Sequence, residues 1–423
     1  MEREQLVEEL TERGLIAQTG GGELAEILAE GKAVYLGVDP SADSMHVGNM
    51  VPLILLKHLV DAGMTPTLLV GGGTGLIGDP KESGERPMID TTQAAQNAEA
   101  IRTQFAALLA IPNLHLVNNL DWLQDVGLLS FLRDVGKHFT VNQLIKRDII
   151  KRRLETDEDS ISYTEFSYSL LQAYDYWHLF TNHGVNVQVG GSDQWANIIS
   201  GVDLIRRKEQ ATTYAITTPI VIDRNTGKKF GKSEGNAVWL DPTKTTPFHF
   251  YQFWLNVSDE NVAEYLRIFT FIPLDEITDL LSKHNAQPHE RHAQRALAEA
   301  VTTFVHGQAV AADVKVVSQL LFAKDVQLES LSQPQIQLLQ SVVPTAVYTT
   351  QQLRDEFSLV DVLLTTGLAS SKNEARRFVE SGAVTINGEK ISADTDLETL
   401  LINSALFLIR RGKSLALLTT TPK

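Results

Sequence analysis

The segment Lys228-Lys229-Phe230-Gly231-Lys232-Ser233 puts three lysines in five positions around a glycine, in a polar loop between Ile220–Ile222 and Val238–Leu240. A loop of this kind could work as a mobile cationic flap that neutralises a departing polyphosphate; the same residues would also make an ordinary charged hairpin tip. Upstream, Pro40-Ser-Ala-Asp-Ser-Met-His46-Val-Gly48-Asn49 leads into an apolar helix. Gly48 has no Cβ, so a bulky planar group can lie against the backbone there. His46 sits where a phosphate would gather dipole and hydrogen-bond stabilisation, or it is a plain cap. Tyr168, Gln172 and Asp175 fall at i, i+4 and i+7 and share one helix face, flanked by Leu170, Leu171 and Ala173. A polar stripe on a buried helix is costly unless it meets a ligand or internal partners, whereas on a solvent-facing helix it costs nothing. Gln188-Val-Gly-Gly191-Ser-Asp193-Gln194-Trp195 follows shortly after.

Other patterns fail on inspection. Gly73-Thr-Gly75-Leu-Ile-Gly78 matches a dinucleotide fingerprint, but Asp79-Pro80 stops the helix that fingerprint needs. It reads instead as a glycine-rich loop that lets backbone approach a small ligand. Gly227–Ser233 has its first glycine one residue too close to Gly231-Lys232-Ser233 for a P-loop. His289-Glu-Arg-His292 lacks the second histidine spacing of a zinc helix, and Gly190-Gly-Ser192-Asp-Gln194 ends in glutamine where a nucleophile elbow needs glycine. The chain has no cysteine, which excludes disulfides, cysteine–zinc sites and a thiol nucleophile. No protein-held metal is expected.

The elements that must hold these residues read as alternating strands and helices. Helices are expected at 24–30, Met50–Ala62, Thr92–Leu109 and Trp195–Arg206, with strands at Ala33–Val38, Thr65–Val70, His115–Val117 and Val185–Val189. This alternation predicts an α/β fold around a parallel sheet, with ligands at the strands' carboxyl ends. From Pro247 to about Phe322 the pattern is helical. Residues 325–357 read as a connector, with Pro334 and Pro344. Beyond Ser358, two short helices (359–365 and 371–381) precede Ala383–Ile386, an Asn387-Gly388 turn and Lys390-Ile391.

The 423 residues are 43% hydrophobic and 21% charged, a globular composition with material for several domains. The net charge of −15 argues against a general nucleic-acid coat. The acidic, amphipathic start MEREQLVEEL lacks the features of a signal peptide, and the apolar run at 51–60 is broken by Lys57 and His58. A cytoplasmic protein, bound neither to membrane nor to DNA, is expected.

Taken together, His46-Val-Gly-Asn49 and Lys229-Phe-Gly-Lys232-Ser233 resemble the two signature sequences of class I aminoacyl-tRNA synthetases. Tyr35-Leu-Gly-Val-Asp-Pro, Gly71–Pro80, Tyr168–Asp175 and Gly190-Gly-Ser-Asp-Gln-Trp195 resemble the bacterial tyrosyl-tRNA synthetase family, and Ser358–Lys423 resembles its terminal S4-type RNA-binding domain. The resemblance implies a Rossmann-like catalytic domain at 1–222, a flap and connection at 223–246, a helical domain at 247–324, a linker at 325–357 and a small α+β S4-like domain at 358–423. It implies that Tyr35 and Asp175 bond the substrate phenol and that Asp79, Tyr168 and Gln172 hold its amino group. ATP would meet Gly37, Asp39, Ser41, His46, Gly48, Asn49, Gly191, Asp193, Gln194 and Lys232. Catalysis would fall to His46, Lys229, Lys232 and Ser233, and Lys81 and Arg86 would form a pyrophosphate loop. Asn49 stands where the family usually has a second histidine; asparagine keeps a hydrogen-bond donor but cannot become a cation.

The implied reaction joins L-tyrosine and ATP to tyrosyl-adenylate and pyrophosphate, with Mg²⁺ accompanying ATP, and then esterifies the 3′-terminal adenosine of tRNA(Tyr). The family is homodimeric. Basic clusters at Lys146-Arg147 with Lys151-Arg152-Arg153, at Arg206-Arg207-Lys208, at Lys372, Arg376 and Arg377, and at Arg410, Arg411 and Lys413 could meet RNA phosphates or be solvated faces. Two alternatives remain at this stage: an RNA-binding protein that merely carries the tail, and a synthetase for tryptophan, whose indole N–H Asp175 could accept.

Overall fold

The computed structural model describes residues 3–80, 90–109, 114–155, 160–230, 232–233, 236–323, 328–349, 351–352, 358–391 and 406–421. The chain forms two compact units: 1–246 with 254–301, and 247–253 with 302–423.

The first unit is built on a six-stranded sheet of β1 (Gln18–Gly20), β2 (Ala33–Val38), β3 (Thr65–Val70), β4 (His115–Asn118), β5 (Val187–Gly191) and β6 (Tyr214–Thr218), in the order β1-β6-β5-β2-β3-β4. All neighbours are parallel except β1, which runs antiparallel to β6. A parallel strand covered on both faces needs a continuous apolar run, and Thr65-Pro-Thr-Leu-Leu-Val70 is buried at every position after the first. Chain order proceeds from β2 toward β3 and β4 on one side and from β5 toward β6 on the other. The sheet therefore reverses between β2 and β5, and a crevice opens at their carboxyl ends, by Gly37–Asp39 and Gly190–Gly191.

Two helices frame that crevice. Met50–Asp61 buries eight of its residues, Met50, Val51, Leu53, Ile54, Leu55, Leu56, His58 and Leu59. Tyr163–His183 starts at a capping box, in which Ser162 accepts from the Glu165 N–H and Glu165 from the Ser162 N–H, and stops at Gly184 with φ of 67°. Both agree with the helical periodicity in sequence. The short helices between Leu120 and Leu154, and strand β1, were not anticipated; each spans too few residues to show a period.

Two short two-residue strands, β7 (Lys232–Ser233) and β8 (Asn236–Ala237), form a ribbon in the lysine-rich segment. Among the described residues of 247–323 there is no strand, as expected.

In the second unit, a five-stranded sheet contains β9 (Thr345–Thr349), β10 (Val384–Ile386), β11 (Glu389–Ile391), β12 (Leu406–Arg411) and β13 (Ser414–Thr421), in the order β11-β10-β12-β13-β9. Its core joins Phe407, Ile409 and Leu418 to Val362, Leu363 and Ala375 of the two short helices. Residues 325–357 are therefore more than a connector. They hold the helix Gln333–Val342 and strand β9, which pairs in parallel with β13. Pro334 lies in that helix's first turn, where no N–H is needed, and Pro344 immediately precedes the strand; both positions tolerate proline, so neither breaks an element.

Candidate active site

A cavity of about 310 Å³ opens at the β2/β5 crevice, lined by Tyr35, Asp39, His46, Tyr168, Asp175 and Asp193 among others. Gly37, Ser41, Gly48, Asn49, Asp79, Gln172, Gly191, Gln194 and Lys229 line it too. Every described candidate side chain from the tyrosine and nucleotide groups thus reaches one cavity. Lys81 and Arg86, and the side chains of Lys232 and Ser233, lie outside the described residues.

At the deep end Asp175 is buried and accepts from Asn119 Nδ2 and Trp122 Nε1, each at 2.8 Å. Burial pushes its carboxyl up to about 7, the Asp39 charge adds to this, and the two donors pull the other way. The Tyr35 hydroxyl is buried and has no hydrogen-bond partner among the described residues. Burial first, and the Asp175 charge second, hold it well above the ordinary phenol range. Gln188 Oε1 is buried in the same wall, also without a partner among the described residues. Such groups cost stability unless something arrives to satisfy them.

From Asp175 a chain of hydrogen bonds runs toward the mouth of the cavity. Asn119 Nδ2 also donates to Thr74 Oγ1 at 2.9 Å, Thr74 Oγ1 donates to Asp39 Oδ1 at 2.7 Å, and Tyr168 Oη donates to Asp39 Oδ2 at 2.6 Å. Asp79 accepts from Gln194 Nε2 at 2.7 Å and Asn197 Nδ2 at 3.0 Å. The stripe Tyr168, Gln172 and Asp175 therefore faces a cavity rather than solvent.

The other wall is set by the segment around His46. His46 caps the short helix Val47–Asn49: its Nδ1 accepts from the Gly48 N–H at 3.0 Å, and its own N–H donates to Asn49 Oδ1 at 3.1 Å. Cap and lining position are thus the same residue. A Cβ at Gly48 would come within 2.7 Å of the His46 imidazole, and one at Gly191 within 2.6 Å of Asp193 Oδ1. Residues 45–47 pair with 238–240, through Val47 N–H to Val238 O and Leu240 N–H to Met45 O, each at 2.9 Å. Lys229 bridges to Ile222, and Phe230 anchors beside it among Trp254, Tyr265 and Phe269, with ring centroids 5.2, 4.5 and 5.4 Å away.

The sequence assigns no role to Asn119, Trp122 and Asn197, nor to Thr74 and Gln188, although these last two lie within the motifs. Asn118-Asn119 at the end of β4 was the available signal, since polar residues at a parallel strand's carboxyl end point into the crevice. Several members of the basic clusters, for which both RNA contact and a solvated face were open, are bonded to the protein's own groups instead. Arg153 is buried in an ion pair with Glu165 at 2.7 Å. Arg410 donates to the carbonyls of Leu321 and Ala323 at 3.0 and 2.9 Å. Arg147 donates to Asn197 Oδ1 at 3.3 Å and to Ser200 Oγ. Lys146, Lys151, Arg152, Lys372, Arg376, Arg377 and Lys413 are exposed. No group of three or more His, Asp or Glu placed to hold a metal occurs among the described residues, nor any helix long and apolar enough to cross a membrane.

Residues 29–323 match the family described as tRNA synthetases class I (W and Y), and residues 335–418 match the tyrosine–tRNA ligase SYY-like C-terminal domain. The chain belongs to the class I tRNA synthetases of this tryptophan and tyrosine group. It is 44% identical over 420 residues to the tyrosine–tRNA ligase of Streptococcus mutans, covering 96% of this chain and 98% of that one. It is 42% identical over 419 residues to tyrosine–tRNA ligase 1 of Vibrio vulnificus strain YJ016, covering 98% and 97%. Its relatives therefore place it among the bacterial tyrosine–tRNA ligases. A C-terminally truncated mitochondrial tyrosyl-tRNA synthetase of Aspergillus nidulans shares 33% identity and a TM-score of 0.67, over 75% of this chain and 94% of that chain. A tryptophanyl-tRNA synthetase of Plasmodium falciparum shares the fold, with a TM-score of 0.53 at 14% identity over 80% and 90%. Fold alone does not separate the two amino acids.

Proposed function

We infer that this chain activates L-tyrosine with ATP and transfers it to the 3′-terminal adenosine of tRNA(Tyr). One observation carries the choice of tyrosine: a buried, unpartnered Tyr35 hydroxyl shares the floor of the cavity with the buried Asp175 carboxylate. The substrate's phenol O–H can donate to the Asp175 carboxylate and accept from the Tyr35 hydroxyl, whereas an indole N–H can only donate. Phenylalanine would leave the Tyr35 hydroxyl unpaired and deny Asp175 its third donor, beyond Asn119 and Trp122, which is the penalty that makes hydroxyl recognition selective.

The substrate carboxylate is already ionised, so attack on the α-phosphate needs no general base. What needs stabilising is a pentacoordinate phosphoryl group and leaving pyrophosphate, a task of positioning and charge. In this reading His46, Lys229, Lys232 and Ser233 supply donors to the phosphates. Asp79, Tyr168 and Gln172 hold the ammonium. Asp39, Ser41, Gly48, Asn49, Gly191, Asp193 and Gln194, with the backbone at Gly37, cradle the nucleotide, and Lys81 and Arg86 receive pyrophosphate. Mg²⁺ enters with ATP and is held by phosphate and water. Residues 358–423 act as the S4-like RNA-binding part, and the protein works in the cytoplasm.

A homodimer is supported by the apolar side chains exposed between residues 128 and 163. Leu128, Leu129 and Tyr163 are 70%, 81% and 73% exposed, with Val141 and Leu154 also open. A second copy of the chain would cover them; sedimentation of Leu129→Asp as a monomer is the expected result. ATP–pyrophosphate exchange with each of the twenty amino acids tests the central assignment. Tyrosine should stimulate exchange without tRNA, and best stimulation by tryptophan would refute it.

A further inference from the structure

Arg147 lies in a run of basic residues whose sequence suggests a surface for RNA, yet its guanidinium is half-buried and points at Asn197 and Ser200. Asn197 has an asymmetric amide. Its Oδ1 accepts from Arg147 Nη1, while its Nδ2 donates to Asp79 Oδ1 at 3.0 Å and to Gln194 Oε1 at 3.2 Å. Gln194 in turn donates to the second oxygen of Asp79.

We propose that Arg147 is a positioning residue for Asp79, acting through the Asn197 amide, and that it thereby sets how tightly the ligand's ammonium group is held. The inference rests on the reading that Asp79 meets that ammonium. An arginine can only donate, so whichever amide atom faces it must be the oxygen. With the oxygen fixed on Arg147, the NH₂ end is forced toward Asp79. Without Arg147 the amide oxygen loses its donor, and only the Nδ2 bonds to Asp79 and Gln194 hold the orientation, so Asp79 is held less firmly. The Asp79 charge also attracts the guanidinium, opposing the burial that pushes Arg147 down to about 10. Two isolated contacts would make a plain structural tie; here they end on a carboxylate of the cavity wall.

The test uses the full chain and two probes that share the hydroxyphenylethyl group: tyramine, which keeps the ammonium without the carboxylate, and 3-(4-hydroxyphenyl)propionate, which keeps the carboxylate without the ammonium. Arg147→Met should weaken tyramine binding about tenfold, raise KM for tyrosine by a similar factor with less effect on kcat, and change the propionate by under about twofold. In an Asp79→Asn background, Arg147→Met should add almost nothing. Arg147→Lys keeps the cation and repeats the test should the methionine variant fail to fold; its loss should be smaller and equally confined to tyramine. Equal weakening of both probes, or full additivity with Asp79→Asn, overturns the proposal. So does a raised KM for tRNA with unaltered tyramine binding, which would return Arg147 to RNA contact. If Asp79→Asn itself fails to distinguish the probes, the ammonium reading fails, and the inference falls with it.

Discussion

Asn119 donates its side-chain amide to Asp175 Oδ2 at 2.8 Å, and both residues are buried. Asn119 makes two further side-chain bonds: Nδ2 also reaches Thr74 Oγ1, and Oδ1 accepts from the Gly73 N–H at 2.7 Å. A side chain with all of its hydrogen bonds directed inward cannot rotate without breaking several at once. Asp175 is therefore held by a residue that is itself fixed to the glycine-rich loop. Trp122 takes the other carboxylate oxygen and stacks on His178 with centroids 4.3 Å apart. Lone pairs remain on Asp175 for a ligand.

Asn119→Ala should raise KM for tyrosine more than it lowers kcat. A hydrogen bond to a charged group is worth about 1.5–3 kcal/mol, so a loss of roughly 10- to 100-fold in kcat/KM is expected. Steady-state exchange kinetics read the split. An unchanged KM would show that Asp175 needs no such support.

Tyr35→Phe should stabilise the unliganded protein and weaken its selectivity together. The hydroxyl is buried without a partner, and removing an unsatisfied group returns about 1–3 kcal/mol. Phenylalanine then escapes part of its desolvation penalty, so the ratio of specificity constants for tyrosine over phenylalanine should fall. Urea unfolding and exchange assays on one preparation check both halves. A destabilised variant would mean that the hydroxyl is bonded in solution.

The Asp175 carboxyl, pushed up to about 7 by burial, makes the free protein prefer the protonated form. Its contribution to stability is full below the unfolded carboxylate value near 4 and is lost as pH rises through about 7. Between pH 5 and 8 the wild-type protein should lose up to about 3 kcal/mol that Asp175→Asn does not lose. Tyrosine recognition runs the other way. The ionised carboxylate is the better acceptor, so kcat/KM for tyrosine should rise with pH up to about 7 and then level off. Parallel pH profiles of the two proteins would expose any other source.

Lys232→Ala should slow adenylate formation with little effect on tyrosine affinity. A donor used chiefly in the transition state is worth about 3–4 kcal/mol at the upper end. Rapid-mixing measurement of adenylate formation tests this, and a normal rate with weakened tyrosine binding would contradict the flap role.

The strands β2 and β3 and the helix Leu24–Glu30 lie where the sequence pattern put them, because long apolar runs between glycines or prolines leave little choice of period. Tyr168, Gln172 and Asp175 were legible through spacing, since they need only one helix to come together, whereas Tyr35, Asp39, Ser41 and Asp79 were reached only through the resemblance to the synthetase family. Asn119, Trp122 and Asn197 were not, because they act on other residues across more than fifty positions of chain and carry no local pattern. The inward bonding of Arg153 and Arg410 was illegible for a related reason. A basic run says nothing about which member finds a carboxylate or a set of carbonyls to bury against.

Truncation should separate the two half-reactions, and the register of the second sheet decides where to cut. Deleting residues 358–423 removes β10 to β13 but leaves β9, whose parallel partner is β13. The remnant would carry an unpaired strand with Ala346 uncovered, a template for aggregation. Deletion from residue 333 removes the helix Gln333–Val342 and β9 as well, close to where the matched C-terminal domain begins at residue 335. No described residue beyond Phe269 lines the cavity, so the shorter protein should form tyrosyl-adenylate at near-normal rate. Its tRNA charging should fall steeply, and further as salt rises, because the exposed Lys372, Arg376, Arg377 and Lys413 are gone. The 358 deletion should show the same split only in the fraction that stays soluble. Pyrophosphate exchange against charging, measured on both truncated proteins across a salt series, is the comparison to make; near-wild-type charging by the 333 deletion would show that the second sheet does not grip tRNA.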